Sequence, residues 1–321
     1  MDACSKLEAP VVGVCDRNTG REYLGYRIMS PIDLKRDYPD ALVLVCSHAF
    51  NQEICSTLEN MGYQSEQVIP CPMKYPYFES PESFARHRNG YGWAYSFFDD
   101  ERSKQLVLDR MRLYLTDEGL LKNTPSVTYY ENGLIQLSED EIFVDGGAFT
   151  GDSAAYFIER VGGKYSHIYS FEPSMENFMQ ASKSLQRHPR VDVIQKGLWS
   201  EDATLSFYQD NGNPAGSRLM NAGSNDRYSI AVTGLDMFFS EAAEEKLPTF
   251  IKMDIEGAEK EALMGAKEII KRRKPKLAIC AYHKPEDIYE LPQTILGIRD
   301  DYRFVLRQHE YGCYDTVLYA V

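Results

Sequence analysis

The 321-residue chain lacks the features that mark several large classes of protein. It has no apolar run approaching the roughly 18–20 residues that cross a bilayer, and its first residues contain no apolar secretion signal. Basic residues are few: 35 lysines and arginines stand against 48 acidic residues, giving a net charge of −13. Proteins that bind nucleic-acid phosphates or anionic membrane surfaces carry the opposite balance. We therefore expect a cytoplasmic protein that partners neither nucleic acid nor membrane.

The cysteines do not follow a pattern that indicates disulfide bonds or a metal site. The seven cysteines are odd in number, and none of them forms a C-x-x-C pair. No pair of cysteines or histidines has the spacing of zinc ligands. We expect buried free thiols in a reducing compartment and no metal site.

The positions of the apolar segments predict two domains of unequal size. The length alone predicts two domains, at an average of about 150 residues per domain, and 43% hydrophobic residues are enough for a sizeable core. Apolar strands at 11–15, 41–46 and 68–70, with a helix over 51–61, predict a strand–helix–strand unit with a parallel sheet. No glycine-rich turn opens this unit, so we expect an incomplete Rossmann-like domain over 1–78. Residues 79–124 are interpreted as a helical linker region and 125–321 as the main domain.

The linker region is rich in proline and aromatic residues before its helix begins. Residues 71–98 predict a connector with a short helix, because three prolines interrupt any regular element. Asp99 or Asp100 then caps a helix that runs to about Leu115.

Strands and helices alternate regularly in the main domain. Strands are predicted at 142–145, 167–171, 191–195, 249–253 and 276–281, and helices at 150–161, 174–186 (with Ser174 as N-cap), 258–271 and 286–297. The chain ends with two strands, at 303–307 and 316–320, with no helix between them. This α/β pattern predicts a doubly wound, mainly parallel sheet with an antiparallel strand at the end.

A glycine loop follows the first strand of the main domain, in FVDGGAFTGDS from 143 to 153. The spacing matches neither the G-x-G-x-x-G of dinucleotide sites nor a phosphate-binding loop. Glu172 ends the next strand, where a carboxylate can accept both hydroxyls of a ribose. Together these features predict an adenosine-type cofactor without a pyrophosphate, as in S-adenosylmethionine sites. The alternative is a strand–helix turn with incidental glycines.

A second group of polar residues follows later strands of the same sheet. Asp254 and Glu256 lie just beyond one strand, and Tyr282 and His283 follow the next. The carboxylates could serve a general base, a metal ion or the ammonium group of a cofactor, or they could simply cap a helix. A histidine can take a proton from a hydroxyl near neutral pH, although a lone histidine is more often structural.

These motifs together resemble one known family. VDGGAFTGD, SFEPSMENF, IKMDIEGAEKEAL, the Y-H-x-x-E-D segment and the closing YRFVLRQHEYGCYDTVLYA are similar to the FkbM family of S-adenosylmethionine-dependent methyltransferases. The resemblance covers about residues 125–321. It implies a Rossmann-like methyltransferase fold of seven strands with the last antiparallel, S-adenosyl-L-methionine as cofactor, and methylation of a hydroxyl on a small-molecule or saccharide acceptor.

The resemblance also implies roles for individual residues. The cofactor would be bound by Asp145, Gly146, Gly147, Phe149, Thr150, Gly151, Ser153, Glu172, Pro173, Gly197, Leu198, Trp199 and Asp254. Glu172 would hold the ribose, and residues 197–199 would lie near the adenine. Asp254, Glu256 and His283 would be catalytic, with Asp254 or His283 as the base. Phe149 and Thr150 depart mildly from the residues common in the family.

Two other functions remain open from the sequence. A nicotinamide-dependent oxidoreductase would need a pyrophosphate loop, and a non-catalytic binding protein could keep the same fold. The oligomeric state stays open, with a homodimer as one option. The polar stretch 209–228 is interpreted as a surface loop or a substrate lid. The chain has 22 tyrosines, and we expect those near the connector to form one wall of the acceptor pocket: Tyr75, Tyr77, Tyr91, Tyr95, Tyr129 and Tyr130.

Overall fold

The chain divides into two compact units, Met1–Met73 and Lys74–Val321. This computed structural model describes residues 12–16, 19, 22–23, 25–45, 51–64, 67–70, 81–115, 129–130, 133–208, 218–219, 227–309 and 315–321. Within those ranges, no helix has both the length and the apolar character needed to cross a bilayer. The expected boundary at residue 78 lies outside the described residues.

The first unit contains the predicted strand–helix–strand pattern. Its strands are β1 (Val14–Cys15), β2 (Glu22–Tyr23), β3 (Tyr26–Met29), β4 (Val43–Val45) and β5 (Val68–Pro70), and its helices are α1 (Pro31–Asp37) and α2 (Asn51–Asn60). The strands β4 and β5 pair in parallel, and α2 connects them. A small core of Val45, Leu58, Tyr63 and Val68 lies among these elements. The sequence did not predict β2, β3 or α1.

A seven-stranded sheet organises the second unit. The strands of this unit are β6 (Ile142–Gly146), β7 (His167–Phe171), β8 (Val191–Ile194), β9 (Gly197–Leu198), β10 (Ala203–Tyr208), β11 (Arg218–Leu219), β12 (Arg227–Thr233), β13 (Phe250–Met253), β14 (Lys276–Cys280), β15 (Phe304–Gln308) and β16 (Thr316–Ala320). The large sheet has the order β15-β16-β14-β13-β6-β7-β8. The strand β16 is antiparallel to both of its neighbours, β14 and β15, and the other adjacent strands of this sheet are parallel. This confirms the predicted doubly wound fold.

The helices of the second unit differ from the prediction in three places, one of which is the short helix over 235–238, which was not predicted. They are α3 (Pro81–Phe97), α4 (Glu101–Leu115), α5 (Asp152–Arg160), α6 (Met175–Leu185), α7 (Leu235–Phe238), α8 (Glu259–Met264), α9 (Lys267–Arg273) and α10 (Asp287–Ile298). The short helix expected in the connector is the 17-residue α3. The single helix expected over 258–271 is divided into α8 and α9. The carboxylate of Asp236 caps α9 by accepting the N–H groups of Glu268 and Ile269, so a new helix begins there.

A small second sheet was not predicted. It has the order β11-β10-β12-β9, and β12 is antiparallel to β10 and parallel to β9. Parts of the predicted loop over 209–228 therefore form β11 and the start of β12. The other residues of that stretch lie outside the described part of the chain.

The connector tyrosines are mainly core residues. Tyr91 on α3 is fully buried and donates to the Pro285 carbonyl oxygen at 3.0 Å, and Tyr130 is also buried. Tyr129 stacks on His309 with ring centroids 4.1 Å apart. The expectation of a pocket wall is therefore wrong for Tyr91 and Tyr130, because both rings are enclosed by packing. Of the others, Tyr95 is exposed, and Tyr75 and Tyr77 lie outside the described residues.

Candidate active site

The loop after β6 approaches the loop after β13 so closely that glycine is required. Gly147 has φ +76°, and a Cβ there would lie less than 3.0 Å from the Asp254 carbonyl oxygen. Gly151 precedes α5 with φ +88°, and a Cβ there would lie 2.6 Å from Ser184 Oγ. Both positions combine a left-handed backbone with close packing, which only glycine accommodates without strain.

Asp145 fixes this glycine loop from inside. Its carboxylate is fully buried, and it accepts the Ser153 hydroxyl, with Oγ 2.9 Å and 2.7 Å from the two oxygens. Lys252 Nζ lies 3.1 Å from Oδ1. Burial raises the pKa of Asp145, although Lys252 and Ser153 act against that rise. The carboxylate therefore joins the end of β6 to the start of α5 and to β13.

Lys252 was missed at the sequence level. Its ammonium group lies 3.0 Å from the Gly147 carbonyl oxygen and 3.3 Å from that of Gly146. The side chain is only 13% exposed, and burial would lower the pKa of Lys252, but Asp145 and Asp254 more than compensate and keep it charged. The signal in the sequence was a single lysine inside the apolar strand FIKM.

Removing this cation should destabilise the protein strongly. In Lys252→Met the buried Asp145 carboxylate loses its counter-ion, and breaking such a pair costs about 3–5 kcal/mol. We expect urea unfolding to report a loss of that order. The double variant Lys252→Met/Asp145→Asn should recover part of it, and Lys183→Met, at an exposed position of α6, should change little. A loss below about 1 kcal/mol for Lys252→Met would contradict the structural role.

Glu172 closes the other side of the glycine loop. Its Oε2 accepts the Phe149 N–H and its Oε1 accepts the Ser174 N–H, each at 2.9 Å. Burial raises the pKa of Glu172 although these bonds oppose it, and the side chain is 6% exposed. Ser174 precedes α6 as expected but makes no side-chain capping bond. Phe149 adopts φ +47° and is partly exposed.

Most of the remaining predicted cofactor residues lie at the same sheet edge. A Cβ on Gly146 would lie 2.7 Å from Leu198 Cδ1, and one on Gly197 would lie 3.7 Å from Pro173 Cβ. The Thr150 carbonyl oxygen accepts the Ser184 hydroxyl at 2.7 Å. The structure thus brings the ends of β6, β7, β9 and β13 together. Trp199 packs elsewhere, against Ile230 and Val232 of the small sheet.

Asp254 lies at the carboxyl end of β13 beside the next strand end. Tyr282 donates its hydroxyl to Asp254 Oδ1 at 3.0 Å, and His283 Nε2 lies 3.3 Å from the same oxygen. Burial would raise the pKa of Asp254, but His283, Lys252 and Tyr282 outweigh burial and hold that pKa well below its usual range. Because its side chain is 30% exposed, Asp254 offers an ionised carboxylate to a ligand.

Glu256 and Gly257, which follow Asp254 and Ile255, form a strained turn. Glu256 has φ +57° and Gly257 φ +92°. A left-handed conformation at a residue with a side chain costs about 1–3 kcal/mol and is concentrated at functional sites. The turn holds Glu256 Oε2 3.7 Å from His283 Nε2.

His283 is enclosed by carboxylates. Its Nδ1 lies 3.0 Å from Glu259 Oε1, a contact that the sequence did not predict. Neither ring nitrogen has hydrogen-bond alignment with its neighbour, so these are close charge contacts. Burial would lower the pKa of His283, but Glu259, Asp254 and Glu256 raise it well above its usual value. The surrounding carboxylates therefore favour the protonated form of the imidazole.

Ligation of a metal ion fits this cluster less well than ion pairing. Asp254, Glu259 and His283 each offer one donor atom, and the three atoms lie within 4.8 Å of one another. A bound ion requires all donors to face one centre at about 2.0–2.2 Å. Here the two ring nitrogens face different carboxylates, which suits an imidazolium between anions. We expect the enzymatic activity of this protein to be unchanged when EDTA is added to the assay.

A family model described as the Methyltransferase FkbM domain matches residues 145–306. The chain belongs to the FkbM methyltransferase family. The match contains the glycine loop, Glu172, Asp254 and His283. A crystal structure of methyltransferase FkbM from Methylobacillus flagellatus KT aligns with a TM-score of 0.65 and 27% identity, over 94% of this chain and 80% of that chain.

A relative from another organism extends the comparison. The 2-O-methyltransferase NoeI of Sinorhizobium fredii (strain NBRC 101917 / NGR234) is 22% identical over 213 residues, which cover 61% of this chain and 85% of that protein. This FkbM methyltransferase thus resembles an enzyme named for O-methylation, at a low level of identity.

Proposed function

We propose that this FkbM methyltransferase transfers a methyl group from S-adenosyl-L-methionine to a hydroxyl of a small-molecule or saccharide acceptor. The observation that carries the proposal is the convergence of three groups at one sheet edge: the glycine loop, the Glu172 carboxylate and the ionised Asp254. In open α/β sheets, ligands bind outside this carboxyl edge. Similarity to a 2-O-methyltransferase supports oxygen as the acceptor atom.

The residues at this edge fit the proposed cofactor. Gly147 and Gly151 leave room that a Cβ would fill. The Glu172 carboxylate accepts the Phe149 and Ser174 N–H groups and a side-chain hydrogen bond from Asn177. A carboxylate has about four lone-pair sites, so one remains to accept a ribose hydroxyl. S-adenosyl-L-methionine supplies an activated methyl group on a sulfonium. The chain must then align the acceptor oxygen and remove its proton.

Asp254 is the best-placed proton acceptor. It is ionised and partly exposed, whereas a protonated His283 has no free lone pair to take a proton. We therefore assign Asp254 as the base and Glu256 as a group that orients the acceptor hydroxyl. His283 stays cationic and holds Asp254 in place.

Glu172 provides a direct test of the cofactor position. Charge-assisted hydrogen bonds contribute about 1.5–3 kcal/mol each, so Glu172→Gln should weaken binding of S-adenosylhomocysteine by roughly tenfold or more. Isothermal titration calorimetry measures this directly. Glu176→Gln, an exposed acidic residue in the first turn of α6, is the matched control and should bind normally. An unchanged affinity in Glu172→Gln would remove Glu172 from the ribose role.

The reaction itself is tested by transfer of an isotopically labelled methyl group to a panel of hydroxyl acceptors, including monosaccharides and oligosaccharides. We expect label in at least one acceptor and stoichiometric release of S-adenosylhomocysteine. Sustained cofactor binding with no turnover across the panel would instead favour a non-catalytic binding protein. Thermal stabilisation by NADH would favour the oxidoreductase alternative.

A further inference from the structure

Glu259 is a buried acidic residue that has no role in the methyl transfer proposed above. It begins α8, its side chain is 1% exposed, and its Oε1 accepts the Ile255 N–H at 2.9 Å. The same oxygen lies 3.0 Å from His283 Nδ1, and Oε2 is buried with no hydrogen-bond partner among the described residues. Burying a carboxylate is costly unless an opposite charge compensates it, so this position requires a counter-ion.

His283 is that counter-ion and connects Glu259 to the site. The imidazole is 7% exposed and has carboxylates at two of its edges. Its Nδ1 faces Glu259, and its Nε2 faces Asp254 and, at 3.7 Å, Glu256. An unprotonated ring nitrogen would direct a lone pair at a carboxylate oxygen, so both nitrogens are most stable with a proton.

Several elements of the fold place charged groups around this imidazole, and carboxylates outnumber cations among them. The acidic groups come from the turn after β13, from α8 and from α10, and the basic ones from β13 and the loop before α10: Asp254, Glu256, Glu259, Asp287, Lys252 and Lys284. Tyr282 adds a hydroxyl that bonds to Asp254. Burial is the main cause that raises the pKa of Asp287 to about 8, and the charge of Glu259 adds to it.

We propose that Glu259 is a positioning residue for this site: it fixes the turn after β13 through the Ile255 N–H and holds the imidazole of His283 against Asp254. Both contacts act on the residue that faces the acceptor, because Ile255 adjoins Asp254 in the chain and His283 touches its carboxylate. Glu259 is itself enclosed and does not touch the reacting atoms. The consequence for turnover rests on the proposed function, whereas the state of His283 is a property of the protein alone.

The first test is a measurement on His283 that needs no activity. Long-range ¹H–¹⁵N NMR distinguishes imidazolium from neutral imidazole, and His283→Gln assigns the signal among the six histidines. In wild-type protein we expect His283 to stay protonated from neutral to mildly alkaline pH. In Glu259→Gln the signal should titrate about one pH unit lower or more, because the attraction of a buried charge is lost. Glu268→Gln, at an exposed position of α9, should leave it unchanged.

The second test uses turnover and its pH profile. Glu259→Gln should lower the rate of methyl transfer on the order of 10–100-fold, as removal of a group that orients a functional histidine does, with the alkaline limb moved to lower pH. Affinity for S-adenosylhomocysteine should fall by a smaller factor than the rate does, since Glu259 reaches the proposed cofactor contacts only through Asp254. Glu259→Asp, which keeps the charge, should restore the imidazolium signal at least in part.

A negative result in one test can be distinguished from a negative result in the other. Absence of methyl transfer in the wild-type protein would contradict the proposed function and leave the NMR result standing. A neutral His283 in wild-type protein at neutral pH would overturn the inference, even if Glu259→Gln does not fold. An unchanged titration of His283 in a folded Glu259→Gln variant would overturn it as well.

Discussion

Gly147→Ala should cost the protein about 2–5 kcal/mol of unfolding free energy, the sum of two separate penalties. The left-handed backbone at φ +76° costs roughly 1–2 kcal/mol for a residue with a Cβ. The new methyl would also lie less than 3.0 Å from the Asp254 carbonyl oxygen, and overpacking of this kind costs about 1–3 kcal/mol. Urea or thermal unfolding measures the total.

Gly162→Ala is the matched control for this variant. Gly162 also has positive φ, +59°, but a Cβ there meets nothing within 4 Å. The Gly162→Ala variant should therefore lose only the part of the unfolding free energy that comes from the left-handed backbone. Equal losses in the two variants would contradict the close approach of the two loops. If the Gly147→Ala variant folds, displacement of Asp254 should also weaken its binding of S-adenosylhomocysteine. The Gly162→Ala variant should bind S-adenosylhomocysteine normally.

Asp254→Asn should lower methyl transfer on the order of 10²–10⁴-fold, the usual contribution of a general base. The amide keeps the size of the side chain and can still accept the Tyr282 hydroxyl, but it cannot take a proton from the acceptor. Because the pKa of Asp254 is held low, wild-type activity should not titrate with this group near neutral pH. Initial rates with labelled methyl donor measure the effect.

Two further variants define what the Asp254→Asn result means. Asp192→Asn, an exposed carboxylate beside His167, should retain wild-type rates. Glu256→Gln should raise KM more than it lowers kcat if Glu256 orients the acceptor. Turnover of Asp254→Asn within about twofold of wild type would remove it as the base.

The main sheet could be predicted from the sequence because its strands carry strong local signals. Strands β7 and β16 were located to the residue, since each is a short apolar run bounded by turn residues. Glycines 147 and 151 and the acidic residues at strand ends followed from the same pattern. Parallel strands bring their carboxyl ends to one edge, so residues far apart in the chain could be grouped from the sequence alone.

The elements that were missed depend on packing between distant parts of the chain. The helix α3 was expected to be short because three prolines interrupt residues 71–98, yet it extends over 17 residues from Pro81, and Tyr91 anchors it to the loop before α10. The break between α8 and α9 arises where Gly265 passes close to the Trp199 carbonyl oxygen. Neither contact has a signature within a window of one helix.

Ion pairs between residues far apart in the chain were the other feature that local sequence patterns could not predict. Lys252 and Asp145 are on neighbouring strands but distant in sequence, so nothing in FIKM identifies the partner of the lysine. Glu259 was not identified from the sequence, because its burial against His283 follows from the tertiary fold. The sequence left either Asp254 or His283 as the base, and the proposed function assigns the base to Asp254 because carboxylates enclose His283.

Calorimetric titration of the wild-type protein with S-adenosylhomocysteine tests the central claim most directly. We predict binding at a single site with a dissociation constant below the millimolar range, weakened by Glu172→Gln and unaffected by Glu176→Gln. Absence of binding at millimolar concentration by a folded protein would contradict an S-adenosyl-L-methionine site at the edge formed by the glycine loop, Glu172 and Asp254.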